Sequence, residues 1–383
     1  MKVGLVFWYI RQIGGILTYT KNLRLGLEKL GHNVEDALIS YNKQKLPDKY
    51  SDHRFEHVFD RVFGFMKNEW VNDFKNWYEE QDQIIFVNPC PTLKETDGDK
   101  SWQKLYNVID DKSTIAVVHD PYVEERYPWL KDVKHKIKKI VCVQEKAYYT
   151  VKEFFAKKTL KDLIQNIPDP EIVLIRHPLD IDDMGYYEKE ELMIHTNTWK
   201  SWKRNELFIA IVPKILKEFP DITVEVYGDG IEKAKMKGEK RSEKYFINGK
   251  WIWDEAIEAG MKDAGIVSDE ELIKAYKRAK YHISFALNEN YQKRLFPNLD
   301  YTDLEAMKYG CILFRPENKA VIKPYENYLP LRDSDLNVIW EDLKNYLNAI
   351  RNNKIDTKRM IENNFKTLKE VFDAVKIAEQ VIS

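Results

Sequence analysis

The hydrophobic positions of this chain switch repeatedly between a strand-like and a helix-like period. Residues 3–10 form an unbroken apolar run, the pattern of a parallel strand buried on both faces. From Thr18 the apolar residues fall at helical spacing, with Leu23, Leu27 and Leu30 on one face and Gly31 as a stop. Asn33–Ser40 reads as the next strand, so the chain opens as a βαβ unit with Gly14 and Gly15 between strand and helix. Residues 50–80, dense in Phe, Trp and charge, read as helical. Strand runs recur at Gln83–Val87, Ser113–Val118, 139–143 and 172–175, with a helical stretch through Phe155.

Residues 176–180 read as the exit from this first series, and a second one follows. It opens with a strand at 191–195 and an amphipathic helix at 202–219, where Leu207, Ile211 and Ile215 are in register and Pro213 is expected to kink the axis. A strand at 222–227 ends in Tyr227-Gly228-Asp229-Gly230, ahead of a lysine-rich insert at 233–244. Ser268 and Glu271 form a capping box, and residues 281–287 read as a strand. A short helix then starts near Tyr301, stops at Gly310 and leads into a buried strand at 311–314, and residues 335–382 read as mostly helical. The expected fold class is therefore α/β, with two Rossmann-like lobes facing each other across a cleft. Residues 1–180 form the first lobe, 181–360 the second, and 361–383 a terminal helix returning to the first.

At 383 residues, 44% hydrophobic and 32% charged, the chain is long enough for two ordinary cores and falls among soluble globular proteins. Its formal charge of −1, from 61 basic and 62 acidic side chains, gives no overall field toward nucleic acid or membrane, so a polyanion needs a local patch. Cys90, Cys142 and Cys311 show no Cys-x-x-Cys spacing and are expected to be free thiols in a reducing compartment. No apolar run approaches the roughly 20 residues of a membrane span, and no signal-cleavage pattern follows the first strand. A cytoplasmic location is the expectation.

The candidate chemistry lies at strand ends. Gly14 and Gly15 stand where a backbone closely approaches an anion at a helix start. The alternative is a plain turn. Lys200, with Lys203 and Arg204 nearby, could neutralise a diphosphate leaving group, against the alternative of solvated surface lysines. His119 and Asp120 end a strand, where the carboxylate either accepts a hydroxyl proton or caps the turn before Pro121. Tyr301 and Thr302 open a helix whose first amides suit phosphate, and Glu305 one turn later suits ribose hydroxyls or merely complements the dipole.

In their order along the chain, Gly14-Gly15, the seam near Asp180, a basic residue after the second lobe's first strand, Tyr227-Gly228-Asp229-Gly230 and Glu305-Ala306-Met307 before Gly310 resemble retaining GT-B glycosyltransferases. Within that class, His119-Asp120, Thr196-x-Thr198-Trp199-Lys200 and Leu299-x-Tyr301-Thr302-x-Leu304-Glu305 resemble the DNA α-glucosyltransferases of T-even bacteriophages. Those enzymes move glucose from UDP-glucose to hydroxymethylcytosine in duplex DNA.

The resemblance implies a retaining hexosyl- or pentosyltransferase with a UDP-sugar as donor substrate and no metal. The acceptor would be modified cytosine in phage DNA, in the cytoplasm of an infected cell. It places Asp120 as the acceptor base with His119 beside the sugar, and Gly14, Gly15, Lys200, Tyr227, Gly228, Tyr301, Thr302 and Glu305 on the donor. The chain departs from the pattern at His195, where an arginine is usual, leaving Lys203 or Arg204 as substitutes, and at Pro297, where a glutamate is usual, with Glu289 the nearest. A base-modifying enzyme extrudes its target and needs cations and stacking aromatics. Lys233, Lys235, Lys237, Lys240 and Arg241, followed by Trp251 and Trp253, are candidates, as is the patch from Lys134 to Lys139. Two alternatives stand beside this. One is a GT-B enzyme acting on a cell-envelope or other saccharide, with residues 61–78 as a membrane-facing amphipathic face, and the other an inactive nucleotide- or DNA-binding protein.

Overall fold

A computed structural model of the chain describes residues 1–8, 15–40, 59–64, 70–87, 108–109, 113–158, 167–285, 299–317, 321–332 and 335–383. Gly14, Cys90, Glu289 and Pro297 lie outside the described residues. The chain divides into two units, Met1–Asp180 with Val371–Ser383, and Ile181–Glu370.

The first unit is built on a seven-stranded parallel sheet: β1 (Lys2–Trp8), β2 (Asn33–Ser40), β3 (Arg61–Gly64), β4 (Gln83–Val87), β5 (Ser113–Val118), β6 (Lys139–Cys142) and β7 (Glu171–Leu174). Their spatial order is β3-β2-β1-β4-β5-β6-β7. The chain runs outward from β1 through β3 and then resumes on the other side at β4, so the order reverses between β1 and β4. In open α/β sheets, ligands bind at the carboxyl edge at such a reversal. The Gly15–Lys29 helix leaves β1 at this point.

The helical expectation for residues 50–80 is corrected in part. Residues 61–64 are a strand because Ala37 to Ser40 offers them a sheet edge, and among the described residues of this stretch a helix runs over Trp70–Glu79. Phe63 then packs edge-on against Phe74 at 5.3 Å, and Trp70, Phe74 and Trp77 are buried in the same core. These aromatics therefore form no membrane-facing surface.

The terminal return begins at Val371 rather than at residue 361. The Thr357–Thr367 helix stays with the second unit, where Asn364 accepts a bond from Asn327 at 2.9 Å. Beyond it, Leu179 and residues 372–374 exchange backbone bonds of 2.7 and 3.0 Å. The Ala374–Ile382 helix packs where a Cβ on Gly26 would overlap the Ala374 carbonyl. Lys139 donates to the Gln380 and Val381 carbonyls at 3.3 and 3.4 Å, satisfying acceptors that a helix C-terminus leaves open.

The second unit contains β8 (Glu190–Thr196), β9 (Thr223–Tyr227), a hairpin of β10 (Phe246–Ile247) and β11 (Lys250–Trp251), β12 (Lys262–Gly265), β13 (Ala279–Ile283), β14 (Ile312–Pro316) and β15 (Leu329–Leu331). The six sheet strands are parallel in the order β12-β9-β8-β13-β14-β15. Here the reversal falls between β8 and β13. The expected capping box is present: the Glu271 amide donates to Ser268 Oγ at 3.2 Å and the Ser268 amide to Glu271 Oε2 at 3.0 Å. Pro213 lies inside the Asn205–Glu218 helix.

Candidate functional site

In the second unit the site starts from the loop that follows β8. Asn197, Thr198 and Trp199 are clasped by the Tyr227–Gly230 loop after the neighbouring strand. The Trp199 amide donates to the Asp229 carbonyl at 3.1 Å, the Trp199 indole to the Tyr227 carbonyl at 3.1 Å, and the Glu232 amide to the Trp199 carbonyl at 3.2 Å. Gly228 (φ +95°) and Gly230 (φ +155°) make this approach possible, since a Cβ at Gly230 would lie 2.5 Å from the Trp199 carbonyl oxygen. The two glycines thus act on the loop that carries Lys200. Tyr227 is buried, with its hydroxyl donating to Glu225 at 2.6 Å.

Lys200 ends that loop, half-buried and next to Lys203. Burial and then the Lys203 charge hold its ammonium below the ordinary lysine range. Lys203 forms an ion pair with Asp300, the residue that precedes the Tyr301–Lys308 helix. The Asp300 side chain makes no cap bond to that helix, while its carbonyl accepts from the Asp303 and Leu304 amides. The amides of Tyr301 and Thr302 have no intrahelical acceptor, so this end of the helix suits an anion. Glu305 follows one turn later, on the face that Tyr276 approaches.

Beneath the helix lies a buried polar network. His282 on β13 shares a 3.0 Å bond with Thr196 Oγ1, and Thr196 a 2.6 Å bond with the Tyr276 hydroxyl. Tyr276 in turn donates to Glu305. Asp303 and Arg315 form a fully buried ion pair at 3.2 Å, with His282 Nδ1 3.9 Å from Asp303. Burial raises the Asp303 carboxyl and Arg315 opposes the shift. His282, Arg315, Asp303 and Tyr276 were not among the residues singled out from the sequence. Arginine and aspartate inside otherwise buried elements were the signal available, since such groups are rarely buried without a partner.

His195 does not take the place of the usual arginine at a ligand. It is fully buried, with Nδ1 2.8 Å from the Ile283 carbonyl, Nε2 2.9 Å from Asn205 Oδ1, and its ring stacked on Phe208. Burial lowers its pKa and keeps it neutral at pH 7. Arg204 adopts a left-handed conformation (φ +50°) ahead of the Asn205–Glu218 helix and is nearly buried.

In the lysine-rich run, Lys233 is buried, bonding the Gly228 carbonyl at 3.0 Å and Asp263 at 2.5 Å. Lys237 pairs with the same Asp263 at 2.9 Å and Lys235 with Glu232 at 2.6 Å. Lys240 and Arg241 are exposed, Arg241 lying 3.5 Å from Glu243. Trp253 belongs to the core, 5.4 Å from Trp199, whereas Trp251 is half-buried. In the other patch Lys134 and Lys139 are buried, Lys134 on Asp169 at 3.3 Å.

In the first unit, Gly15 is exposed at the start of its helix. His119 and Asp120 leave the carboxyl end of β5. The Asp120 carboxylate accepts from the Tyr122 amide at 3.1 Å and the Tyr127 hydroxyl at 3.3 Å, which fixes its direction. The His119 ring lies edge-on to Tyr19 at 4.7 Å, and Gln144 donates to the His119 carbonyl at 2.5 Å. Burial, and then His177, lower the His119 pKa to about 3, so the imidazole is neutral. Cys142 and Cys311 are buried free thiols.

The chain, with two parallel sheets that carry the order reversals described above, matches an α-glucosyltransferase in complex with UDP-glucose and DNA containing an abasic site. That match has a TM-score of 0.70 at 15% identity, covering 100% of this chain and 99% of the other. The chain has the GT-B fold. Two further GT-B structures match closely. A pneumococcal O-GlcNAc transferase in complex with UDP and GlcNAc has a TM-score of 0.66 at 12% identity, with 99% and 97% of the two chains covered. Anabaena HepE in complex with UDP has a TM-score of 0.66 at 13% identity, covering 100% and 98%. No protein-family model and no curated protein matches the sequence. Among the described residues, no helix is long and apolar enough to cross a membrane.

Proposed function

We propose that the chain is a retaining glycosyltransferase that moves a sugar from a UDP-sugar to the hydroxyl of a hydroxymethylated, or further modified, cytosine in phage DNA. The observation that carries the donor half is the grouping at the β8–β13 reversal. The start of the Tyr301–Lys308 helix, Lys200 and Lys203 supply positive potential at one end of Glu305, a carboxylate suited to a ribose diol. As the bond from the sugar C1 to the diphosphate oxygen breaks, charge grows on the leaving phosphate. Lys200 and the first helix amides are suited to stabilise it. The new bond forms between C1 and the acceptor oxygen, with Asp120 assigned to take the acceptor proton and His119, neutral, to hydrogen-bond the sugar. Gly14 and Gly15 are assigned to the diphosphate and sugar.

The DNA acceptor is supported by likeness to an α-glucosyltransferase determined with DNA present, including a 13-mer DNA containing an HMU base. Lys240 and Arg241 are the members of the lysine-rich run best placed for phosphate, being exposed. A saccharide acceptor is the second reading, favoured by the comparable likeness to the O-GlcNAc transferase and HepE. An inactive binding protein loses its support, because the substitution at His195 falls in the core while Lys203 stands at the helix start.

The deciding experiment incubates hydroxymethylated DNA with a panel of UDP-sugars and analyses the nucleosides by mass spectrometry. A hexose or pentose mass added to the modified cytidine is expected. Absence of any glycosylated nucleoside across the panel, with a saccharide acceptor labelled instead, rejects the DNA reading.

A further inference from the structure

Three side chains behind Glu305 are bonded in series. His282 Nε2 lies 3.0 Å from Thr196 Oγ1, Thr196 Oγ1 lies 2.6 Å from the Tyr276 hydroxyl, and Tyr276 bonds Glu305. All three are buried, on β13, on β8 and in the Asp269–Arg278 helix. Hydrogen-bond valence fixes the direction of the series. Glu305 as a carboxylate only accepts, so the single Tyr276 proton goes to it. Tyr276 oxygen must then accept from Thr196, and Thr196 oxygen from His282, which puts the imidazole proton on Nε2. Burial lowers the His282 pKa well below its ordinary value and raises that of Tyr276 well above, so neither end of the series changes charge near pH 7.

We infer that His282, Thr196 and Tyr276 are positioning residues that set the orientation of the Glu305 carboxylate and thereby determine how strongly the protein distinguishes a ribose diol from a sugar lacking it. The inference rests on the proposed binding of a UDP-sugar with Glu305 at the ribose. The carboxylate accepts from a buried donor of fixed direction, which holds it in one orientation. Two hydroxyls presented by one ribose meet an acceptor that is already oriented, so little rotamer entropy is lost on binding. A site built this way discriminates sharply against a ligand missing the hydroxyls, because its polar group is then left unmet. A glutamate without the series keeps its charge but samples several rotamers. A general electrostatic role would survive the loss of Tyr276, whereas diol discrimination would not.

The test compares UDP with 2′,3′-dideoxy-UDP by titration calorimetry on the full chain, for the unaltered protein and for Tyr276→Phe and Thr196→Val. The unaltered protein is expected to prefer UDP by tenfold or more. Tyr276→Phe should reduce that preference at least fivefold, by weakening UDP while leaving dideoxy-UDP unchanged, and Thr196→Val should move it in the same direction by less. Thr196→Ser, which keeps the hydroxyl, should retain the preference of the unaltered protein, and the contrast between Thr196→Val and Thr196→Ser supplies the measurement should Tyr276→Phe not fold. Equal weakening of both nucleotides, or an unchanged preference, overturns the inference while leaving UDP binding intact. Failure of the unaltered protein to bind UDP instead removes the donor reading, and this inference with it.

Discussion

Gly228 and Asn197 approach so closely that a Cβ at 228 would overlap the Asn197 carbonyl oxygen. The contact joins two loops at adjacent strand ends, and Lys200 lies three residues beyond it. The position of Lys200, proposed to bind phosphate, therefore depends on the approach that Gly228 permits. Replacing Gly228 with Ala forces both a left-handed backbone and a displaced loop, and is expected to cost about 1–3 kcal/mol of stability. UDP affinity should fall as well, and urea unfolding together with UDP titration checks both.

Lys200 presents the opposite balance. It is half-buried beside Lys203, and burial and then the Lys203 charge lower its pKa, so its charged form is disfavoured where it sits. Lys200→Met is expected to lower sugar transfer by about 10²–10³-fold while leaving the melting temperature unchanged or higher. A parallel fall in melting temperature and in transfer would instead indicate a structural lysine.

Asp120 is directed by the Tyr122 amide and the Tyr127 hydroxyl. Asp120→Asn retains its shape and removes its basicity. Transfer to the acceptor should drop about 10²–10⁴-fold, with UDP-sugar affinity nearly unchanged. Single-turnover kinetics beside calorimetry separates the two quantities.

The buried pair of Arg315 and Asp303 at 3.2 Å should be costly to break and cheap to replace as a whole. Arg315→Met alone leaves a buried carboxyl without its cation and is expected to destabilise the fold by about 3–5 kcal/mol. The double variant Arg315→Met with Asp303→Leu should recover most of that loss. Chemical denaturation of the three proteins shows whether it does.

His119, His195 and His282 all have pKa values lowered by burial in the folded protein, His119 to about 3. Their unfolded values lie near 6.5, so below that pH the unfolded chain binds more protons than the folded one. Their contribution to stability is thus fully present above about pH 6.5 and is lost as pH falls toward the folded values. The urea midpoint should decline between pH 7 and pH 5, and the His119→Asn variant should show a shallower decline. A midpoint independent of pH over that range would contradict buried neutral histidines.

Local features were legible in the sequence because their causes are local. The run that makes β5, the stop at Gly310 and the capping box of Ser268 and Glu271 each depend on a few adjacent residues. The two α/β series follow from the alternation of periods, and the positions of His119, Asp120 and Lys200 after strands and of Glu305 early in a helix follow from the series. Tertiary structure decided what these residues touch. Residues 61–64 became a strand only because β2 offered an edge, and Lys233 and Lys237 left the solvent-facing run because Asp263, some 26 to 30 residues on, receives both. His195 and His282 illustrate the limit most directly. On strands buried on both faces, polarity does not report which side a histidine takes. One lies against Ile283 and Asn205, and the other joins Thr196 from 86 residues away. Such pairings arise from sheet order and register, which no local pattern encodes.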